Sequence, residues 1–410
     1  MQADRREFLT WSAGGAFMLA INSQAAAQPA APAAPANVSP WFKVNPNGRV
    51  TVYSTAVEMG QGAHTGHAAI LADELDVPWE MIDVEMADVN TYANQIFTGG
   101  SRSIQSTFKQ ASEAGATARS KFIQAAAKKW GVDAAQCETS KGKVVNKASK
   151  KTLSYGELAA EAGAMPAPAQ ISLRPAKDRT CIGKPIPTYR NKLRSTGKET
   201  YGMDVRLPGM VRASVRQSPV FGAKLASVDE APALAIPGVK KVIKLDNAVA
   251  VVAVDTWTAI KGVRALNPTW TTPEVRGTTA TYRKQLVEAN KAALAAAPAA
   301  AAADLRKAFD GAAKKVEASY DLTRVSHVTM EPQNCTVHVR GDTVEIWGPT
   351  QVPSSVKRGA AAWAGKPQAK VILNTTMLGG GFGRRLATDY IEQAVKIAAQ
   401  YDAPVQMVWT

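Results

Sequence analysis

Three glycine-rich loops hold the residues best suited to chemistry: Glu58-Met59-Gly60-Gln61-Gly62, Thr98-Gly99-Gly100-Ser101 and Gly379-Gly380-Gly381-Phe382-Gly383-Arg384-Arg385. Each lies between an extended segment and a stretch with helical periodicity. A helix start exposes unpaired N–H groups and the positive end of a dipole, and glycine lets that backbone approach a ligand closely. Such loops suit phosphate or a polyoxo anion. None carries a nucleotide fingerprint: 379–385 lacks the Gly-Lys-Ser/Thr ending of a P-loop, and its G-x-G-x-G spacing differs from the dinucleotide pattern. One such loop is more often a structural turn. Three together, with Gln61 and Ser101 able to add side-chain contacts, point to one large anionic ligand.

Other reactive types are sparse. His64 and His67 stand three apart on one helix face, yet a total of four histidines argues against a metal site. Glu331, before Pro332, reads equally as a buried acid or a turn residue. Gln351 follows a strand and reads as a ligand-binding amide or a polar loop group. Trp347, Trp363 and Trp409 read as packing residues. Cys137, Cys181 and Cys335 are too far apart for an iron-sulfur or zinc ligand set, and no Cys-x-x-Cys-His or flavin fingerprint occurs.

The elements that must position these loops follow from periodicity. Strands are expected over 49–54 and 83–87, with helices over 64–76 and from about Ser103 to Trp130, where Gly131 closes the run. Residues 166–195 are Pro-rich and read as a connector. A compact α+β unit spans 196–275, with strands at 211–215, 239–243 and 248–254 and helices near 227–235 and 256–266. Residues 276–314 form an Ala-rich, partly helical connector interrupted by Pro298. The last unit, 315–410, carries strand patterns at 316–320, 334–340, 343–348 and 369–375. A helix with Ile391, Val395 and Ala398 on one face follows, and the chain stops inside a strand pattern at 405–410. That end, without a polar tail or turn residue, reads as a truncation of a longer protein.

The N-terminus reads as an address. Arg5-Arg6 with Phe8-Leu9, an apolar stretch from Trp11 to Ile21 and Ala25-Ala26-Ala27 make a twin-arginine signal peptide over 1–27, followed by an Ala/Pro tether over 28–40. The expected location is the bacterial periplasm, reached with a cofactor already loaded. With 410 residues, 46% of them hydrophobic and 20% charged, disorder is excluded for the bulk of the chain. The net charge of +15 first admits nucleic acid as a partner, but no nucleic-acid motif or aromatic-basic interleaving occurs. The lysines at 141, 143, 147, 150 and 151 read as a solvated face, or as a surface that meets an acidic redox partner or an anionic membrane face.

Together, Glu58-Met59-Gly60-Gln61-Gly62-Ala63-His64-Thr65, Thr98-Gly99-Gly100-Ser101, Met330-Glu331-Pro332-Gln333-Asn334-Cys335, Pro349-Thr350-Gln351 and Gly379-Gly380-Gly381-Phe382-Gly383 resemble the molybdenum hydroxylases of the xanthine dehydrogenase and aldehyde oxidase family. The unit from Thr196 resembles that family's α/β hammerhead domain. The Met-Gly-Gln-Gly segment precedes Gly-Gly-Gly-Phe-Gly here, the reverse of most members. This permuted order, with the export signal, resembles the large subunits of the isoquinoline 1-oxidoreductase group, and it makes 41–165 and 315–410 two molybdopterin-binding segments.

The resemblance implies an α+β fold and an oxidoreductase that takes oxygen from water to oxidise an N-heterocycle or an aldehyde. Its cofactor would be molybdopterin cytosine dinucleotide, with molybdenum held by the pterin sulfurs and by no protein ligand. Gly60, Gln61 and Gly62 would bind the phosphate or the pterin edge, and Gly99, Gly100 and Ser101 would contact the cofactor near the dithiolene and phosphate. Gln351 would bond an oxo ligand. Phe382 and Gly383 would lie beside the metal, with Gly380 and Gly381 in the same cradle and Arg384 adding charge. The family's catalytic glutamate sits in a Gly-Glu context that Gly156-Glu157 does not match, so the base is expected beyond Thr410 and the isolated chain is expected to be inactive. [2Fe–2S] clusters are expected in a separate small subunit, with a c-type cytochrome as a further acceptor. The competing class is a non-catalytic periplasmic cofactor-binding or scaffold protein that keeps the loops as turns.

Overall fold

The computed structural model describes residues 17–18, 41–91, 96–271, 273, 277–296, 299–316, 318, 320–323, 325–367 and 370–410. Most of residues 1–27, expected to be an export signal, and all of 28–40, expected to be a tether, therefore lie outside the described residues. Phe17–Met18 (β1) pairs antiparallel with Phe42–Val44 (β2) at the edge of a first sheet. Alternating β-branched residues make Val50–Ser54 (β3), which buries Val50 and Val52 and pairs with β2. Ala63–Leu75 (α1) then crosses to the parallel strand Ile82–Met86 (β4). This right-sized crossover buries α1 on nearly every side, because Phe108–Trp130 (α2) covers its outer face. The two helices touch through a small residue: a Cβ at Gly115 would sit 2.6 Å from Glu74 Cβ.

Helix α2 starts at Phe108, five residues later than expected. Ser106 Oγ donates to Arg102 O (2.7 Å) and Thr107 Oγ1 to Ser103 O (2.6 Å). At Thr107 the hydroxyl takes the carbonyl that its own N–H would use in a helix, that N–H bonds Ile104 O instead (3.1 Å), and 101–107 is a chain of turns. A small sheet of Cys137–Ser140 (β5), Lys143–Asn146 (β6) and Thr152–Ser154 (β7) carries the exposed lysines, and Tyr155–Ala164 (α3) closes the unit with a capping box from Ser154 and Glu157. The connector then lies over the first unit. Asp73 accepts from Thr180 N, Cys181 N and Ile182 N at 2.7–2.9 Å, and a one-turn helix, Asn191–Ser195 (α4), follows.

A second, seven-stranded mixed sheet joins the two units that the sequence separates. Its members are Val211–Gln217 (β8), Val239–Leu245 (β10), Ala248–Ala253 (β11), Asn334–Arg340 (β13), Thr343–Gly348 (β14), Val371–Thr375 (β15) and Val405–Val408 (β16), and Leu225–Ser227 (β9) pairs apart with Thr269–Trp270 (β12). The order is β10-β11-β8-β16-β13-β14-β15. β16 is the middle strand, parallel to β8 and antiparallel to β13, with all four residues buried. Its covering helices are Thr256–Ala265 (α6), Pro353–Ala364 (α9) and Asp389–Ala398 (α10), the last burying Ile391, Val395 and Ala398 as the pattern predicts.

Other segments match expectation only in part. The helix near 227–235 is a single turn, Ala231–Leu234 (α5), with Pro232 near its start and Pro237-Gly238 beyond it. The Ala-rich connector forms Thr279–Ala295 (α7) and Ala299–Asp310 (α8), while Pro298 lies outside the described residues. The described residues of 316–320 make no strand: Val316 and Tyr320 stay 75% and 87% exposed, and no strand among the described residues pairs with them. Ala369 is also outside the described residues, and that strand begins at Val371.

Replacing Gly115 with Ala forces α1 and α2 apart. We expect a loss of about 1–3 kcal/mol, read as a lower urea midpoint at unchanged slope.

Candidate functional site

The three glycine loops, up to about 300 positions apart in the chain, converge on one cavity of ≈ 560 Å³. Met59, Gln61 and Ala63 come from the first loop, Thr98, Gly99, Gly100, Ser101, Ser103 and Ile104 from the second, and Gln351, Phe382, Gly383 and Leu386 complete the wall. Val57, Ala87, Val89 and Ile96 plug into the hydrophobic core of the seven-stranded sheet, which brings the first unit's loops against those of the last.

Thr98 and Gln351 form the central joint. Thr98 N donates to Gln351 O (2.9 Å) and Gln351 Nε2 donates to Thr98 O (2.9 Å). Gln351 Oε1 accepts from Gly383 N (3.1 Å), and Gln351 N donates to Arg385 O (3.1 Å). On the other side Thr98 Oγ1 accepts from Val57 N (2.7 Å). Gln351 is buried, and one of its two amide N–H groups is committed to Thr98. A Cβ on Gly381 would stand 2.8 Å from Gln351 Oε1 and would also collide with Met59 Sδ, so this glycine serves the approach of loop to loop.

The loops differ in what their amides do. The first is the only one of the three that leads directly into an α-helix, and the amides of Met59, Gly60, Gly62 and His64 are already spent. The buried carboxylate of Glu58 accepts from Gly60 N (2.9 Å), Gly62 N (3.1 Å) and His64 N (3.1 Å), with Arg194 Nη2 3.6 Å away. Gln61 is folded back as well: its Nε2 donates to Val57 O and its Oε1 accepts from Met59 N, both at 2.8 Å. The expected phosphate contacts of Gly60, Gln61 and Gly62 are thus made by an internal carboxylate and the loop's own backbone. In the second loop the amides of Gly99, Gly100 and Ser101 donate to no group of the chain among the described residues. Gly100 and Ser101 both have positive φ, +62° and +54°, which bends this backbone around the cavity.

The third loop passes through a 3₁₀ turn, Arg384–Leu386, before α10. Phe382 takes φ +52°, an uncommon conformation for a non-glycine residue, and leaves its ring 62% exposed at the cavity. Gly380 and Gly381 do not line the cavity but shape the loop behind it. Arg384 turns away: its guanidinium pairs with Asp389 (2.9 and 3.0 Å) and lies 4.9 Å from the Trp409 ring centroid. Its neighbour Arg385 points inward and is fully buried. Arg385, Glu58 and Thr98 belong to the three sequence motifs, but nothing in those motifs assigns any of them a role of its own. Adjacent arginines offer no local signal for which one turns inward, since that depends on the carbonyls a tertiary contact presents.

Both candidate metal histidines have other partners. His67 Nδ1 lies 2.9 Å from Ser54 Oγ and its Nε2 2.9 Å from Thr107 Oγ1, while His64 Nε2 meets Ala56 O (3.2 Å). Burial lowers both imidazoles, that of His67 from 6.5 to about 4. No group of three or more His, Cys, Asp or Glu side chains is placed to hold a metal among the described residues. Cys137, Cys181 and Cys335 are buried free thiols.

A molybdopterin cofactor-binding domain model matches residues 2–200, and a second model of the same description matches 288–410. The chain belongs to the molybdenum hydroxylase family. It is 30% identical over its whole length to the isoquinoline 1-oxidoreductase subunit beta of Brevundimonas diminuta, and 29% identical over 90% of its length to a membrane-bound aldehyde dehydrogenase (pyrroloquinoline-quinone) of Gluconacetobacter polyoxogenes. It spans 59% and 50% of these relatives' lengths. A solved quinoline 2-oxidoreductase of Pseudomonas putida 86 matches 54% of the chain and 33% of its own at 20% identity and a TM-score of 0.41, too distant to guide residue-level comparison.

The site fits the polar edge of such a cofactor. Unspent amides at 99–101, the Ser101 and Ser103 hydroxyls and the Gln351 amide supply donors, and no charged side chain lines the cavity among the described residues. The donor set suits an anion that brings its own metal-binding sulfurs, because among the described residues the cavity offers no imidazole, thiol or carboxylate to a metal.

Two outcomes are expected. Gln351→Leu leaves Thr98 O and Gly383 N without their side-chain partner and should cost roughly 2–4 kcal/mol in chemical denaturation. Below pH 6.5 the unfolded chain protonates the residue-67 imidazole, whereas the native chain does so only near 4. This share of stability is complete above 6.5 and falls toward pH 4 by at most about 3 kcal/mol, so His67→Gln should flatten the wild-type slope of urea midpoint against pH in that window.

Proposed function

We propose that this chain is the cofactor-cradling part of the large subunit of an enzyme that oxidises N-heterocycles or aldehydes with oxygen taken from water. The observation that carries this reading is the convergence of the three glycine loops on a cavity whose second loop keeps three free amides. Gly99, Gly100 and Ser101 would hold the anionic edge of molybdopterin, in its cytosine dinucleotide form, by backbone N–H and hydroxyl donors. Gln351 keeps a second amide N–H for the group bound beside it. Phe382 and Leu386 shield the mouth from water, and Gly383 lets the ligand approach the backbone. When bound, the molybdenum supplies the two-electron acceptor for substrate oxidation.

No titratable side chain lines the cavity among the described residues, so the proton acceptor of the reaction comes from outside this set. The cysteine spacing supports an iron-sulfur partner subunit as the electron outlet, with a c-type cytochrome further on. The Arg5-Arg6 signal supports periplasmic residence after folded export, and the exposed lysines of β5–β7 support contact with an acidic redox partner or an anionic membrane face. No helix among the described residues is long and apolar enough to cross a membrane.

The test is metal analysis of the complex purified from the native host, followed by dye-linked oxidation of isoquinoline and of a series of aldehydes. Near-stoichiometric molybdenum with turnover of one class is expected. A loaded complex that oxidises neither class favours the non-catalytic alternative, and bound quinone in place of molybdenum overturns the reading.

A further inference from the structure

Glu331 and Arg385 form a buried pair that lines no part of the cavity and yet holds two of its walls. Glu331 Oε2 accepts from Gly379 N (2.8 Å) and Arg385 Nη2 (3.1 Å), while Oε1 accepts from Asn334 Nδ2 (3.0 Å) and from Met203 N (3.1 Å) in the chain leading to β8. The guanidinium spends its other donors on carbonyls: Nε on Gly380 O (2.9 Å), Nη1 on Pro349 O (3.2 Å) and Nη2 also on Glu331 O (2.8 Å). The carbonyl of Arg385 in turn receives Gln351 N. One planar fork therefore reaches both the 349–351 segment that carries Gln351 and the 379–383 loop that carries Phe382.

That loop needs such a hold. Gly380, Phe382 and Gly383 take φ of +99°, +52° and +89°, and a non-glycine residue in the left-handed region persists only where its surroundings over-determine it. A Cβ on Gly379 would collide with Glu331 Cβ, so carboxylate and loop backbone are packed face to face. The pair adds no net charge to the cavity, and its partners are the backbone atoms whose placement sets where Phe382 and Gly383 N stand. We propose that Glu331 and Arg385 are positioning residues that shape the Gly379–Gly383 loop for the cofactor. This rests on the cofactor-binding reading above.

The test compares Arg385→Lys and Glu331→Gln with Arg119→Lys in the purified complex. Lysine keeps the charge but cannot reach several carbonyls from one fork. Arg119→Lys weakens a comparable pair, Arg119 with Glu74 (3.3 Å), between α1 and α2. Molybdenum per folded subunit and thermal midpoint are read on the monodisperse fraction. At matched losses of midpoint, Arg385→Lys should lower molybdenum at least fivefold while Arg119→Lys retains it. If Arg385→Lys does not fold, Glu331→Gln, which keeps the side chain's shape, decides, with at least a threefold loss expected. Molybdenum that falls only in step with the midpoint in all variants, or stays at the wild-type level in Arg385→Lys or in the deciding Glu331→Gln, overturns this inference alone. A wild-type complex without molybdenum overturns the functional reading and this inference with it.

Discussion

Every glycine loop in this molecule faces the same constraint: a backbone that bends back on itself leaves N–H groups without helix or sheet partners, and a buried one must be paired. Glu58 pairs the first loop, Gln351 joins the second to the third, and Glu331 pairs the start of the third. The amides of Gly99, Gly100 and Ser101 have no partner in the chain among the described residues, and these three residues line the cavity. Internal carboxylates thus decide which backbone groups remain for a ligand. A glycine loop at a helix start is an anion site only if no side chain of its own fills it.

The cavity exists because two sheets meet through their loops. The parallel β3–α1–β4 crossover sends its loop ends into the core of the seven-stranded sheet, where Val57, Ala87, Val89 and Ile96 are buried with Val337, Ile346 and Ile391. That burial sets the distance at which Thr98 and Gln351 can exchange hydrogen bonds. The connector adds a clamp on the far side. Burial alone would raise the Glu199 carboxyl, but the hydrogen bonds and charge of Arg190, the charge of Arg194 and the Thr200 amide together hold it below the usual carboxylate range, and Arg194 stands between this carboxylate (3.8 Å) and that of Glu58 (3.6 Å).

The charge distribution follows from the same economy. Glu58, Asp73, Glu74 and Glu199 are buried and consumed in holding loops and connector, whereas the lysines of β5–β7 stay in solvent. Part of the acidic complement is therefore hidden, and the surface is more basic than composition alone conveys. Long charged stems solvate easily at the surface, while a short carboxylate can be buried wherever backbone amides converge.

Local pattern alone determined a good deal. The strands at 50–54, 334–340, 343–348 and 405–408, the helices α1 and α10, and the positions of the three glycine loops were readable, because alternation, 3.6-residue periodicity and glycine act over a few residues. The late start of α2 was not readable, since it turns on which hydroxyls capture carbonyls. Only the tertiary structure decided that β16 is the middle strand of a sheet shared by two apparent units, that Glu58 occupies the helix start, and that Arg385 rather than Arg384 turns inward. Each of these depends on partners far away in the chain, and a hydrogen bond to a distant backbone atom leaves no trace in the neighbouring sequence.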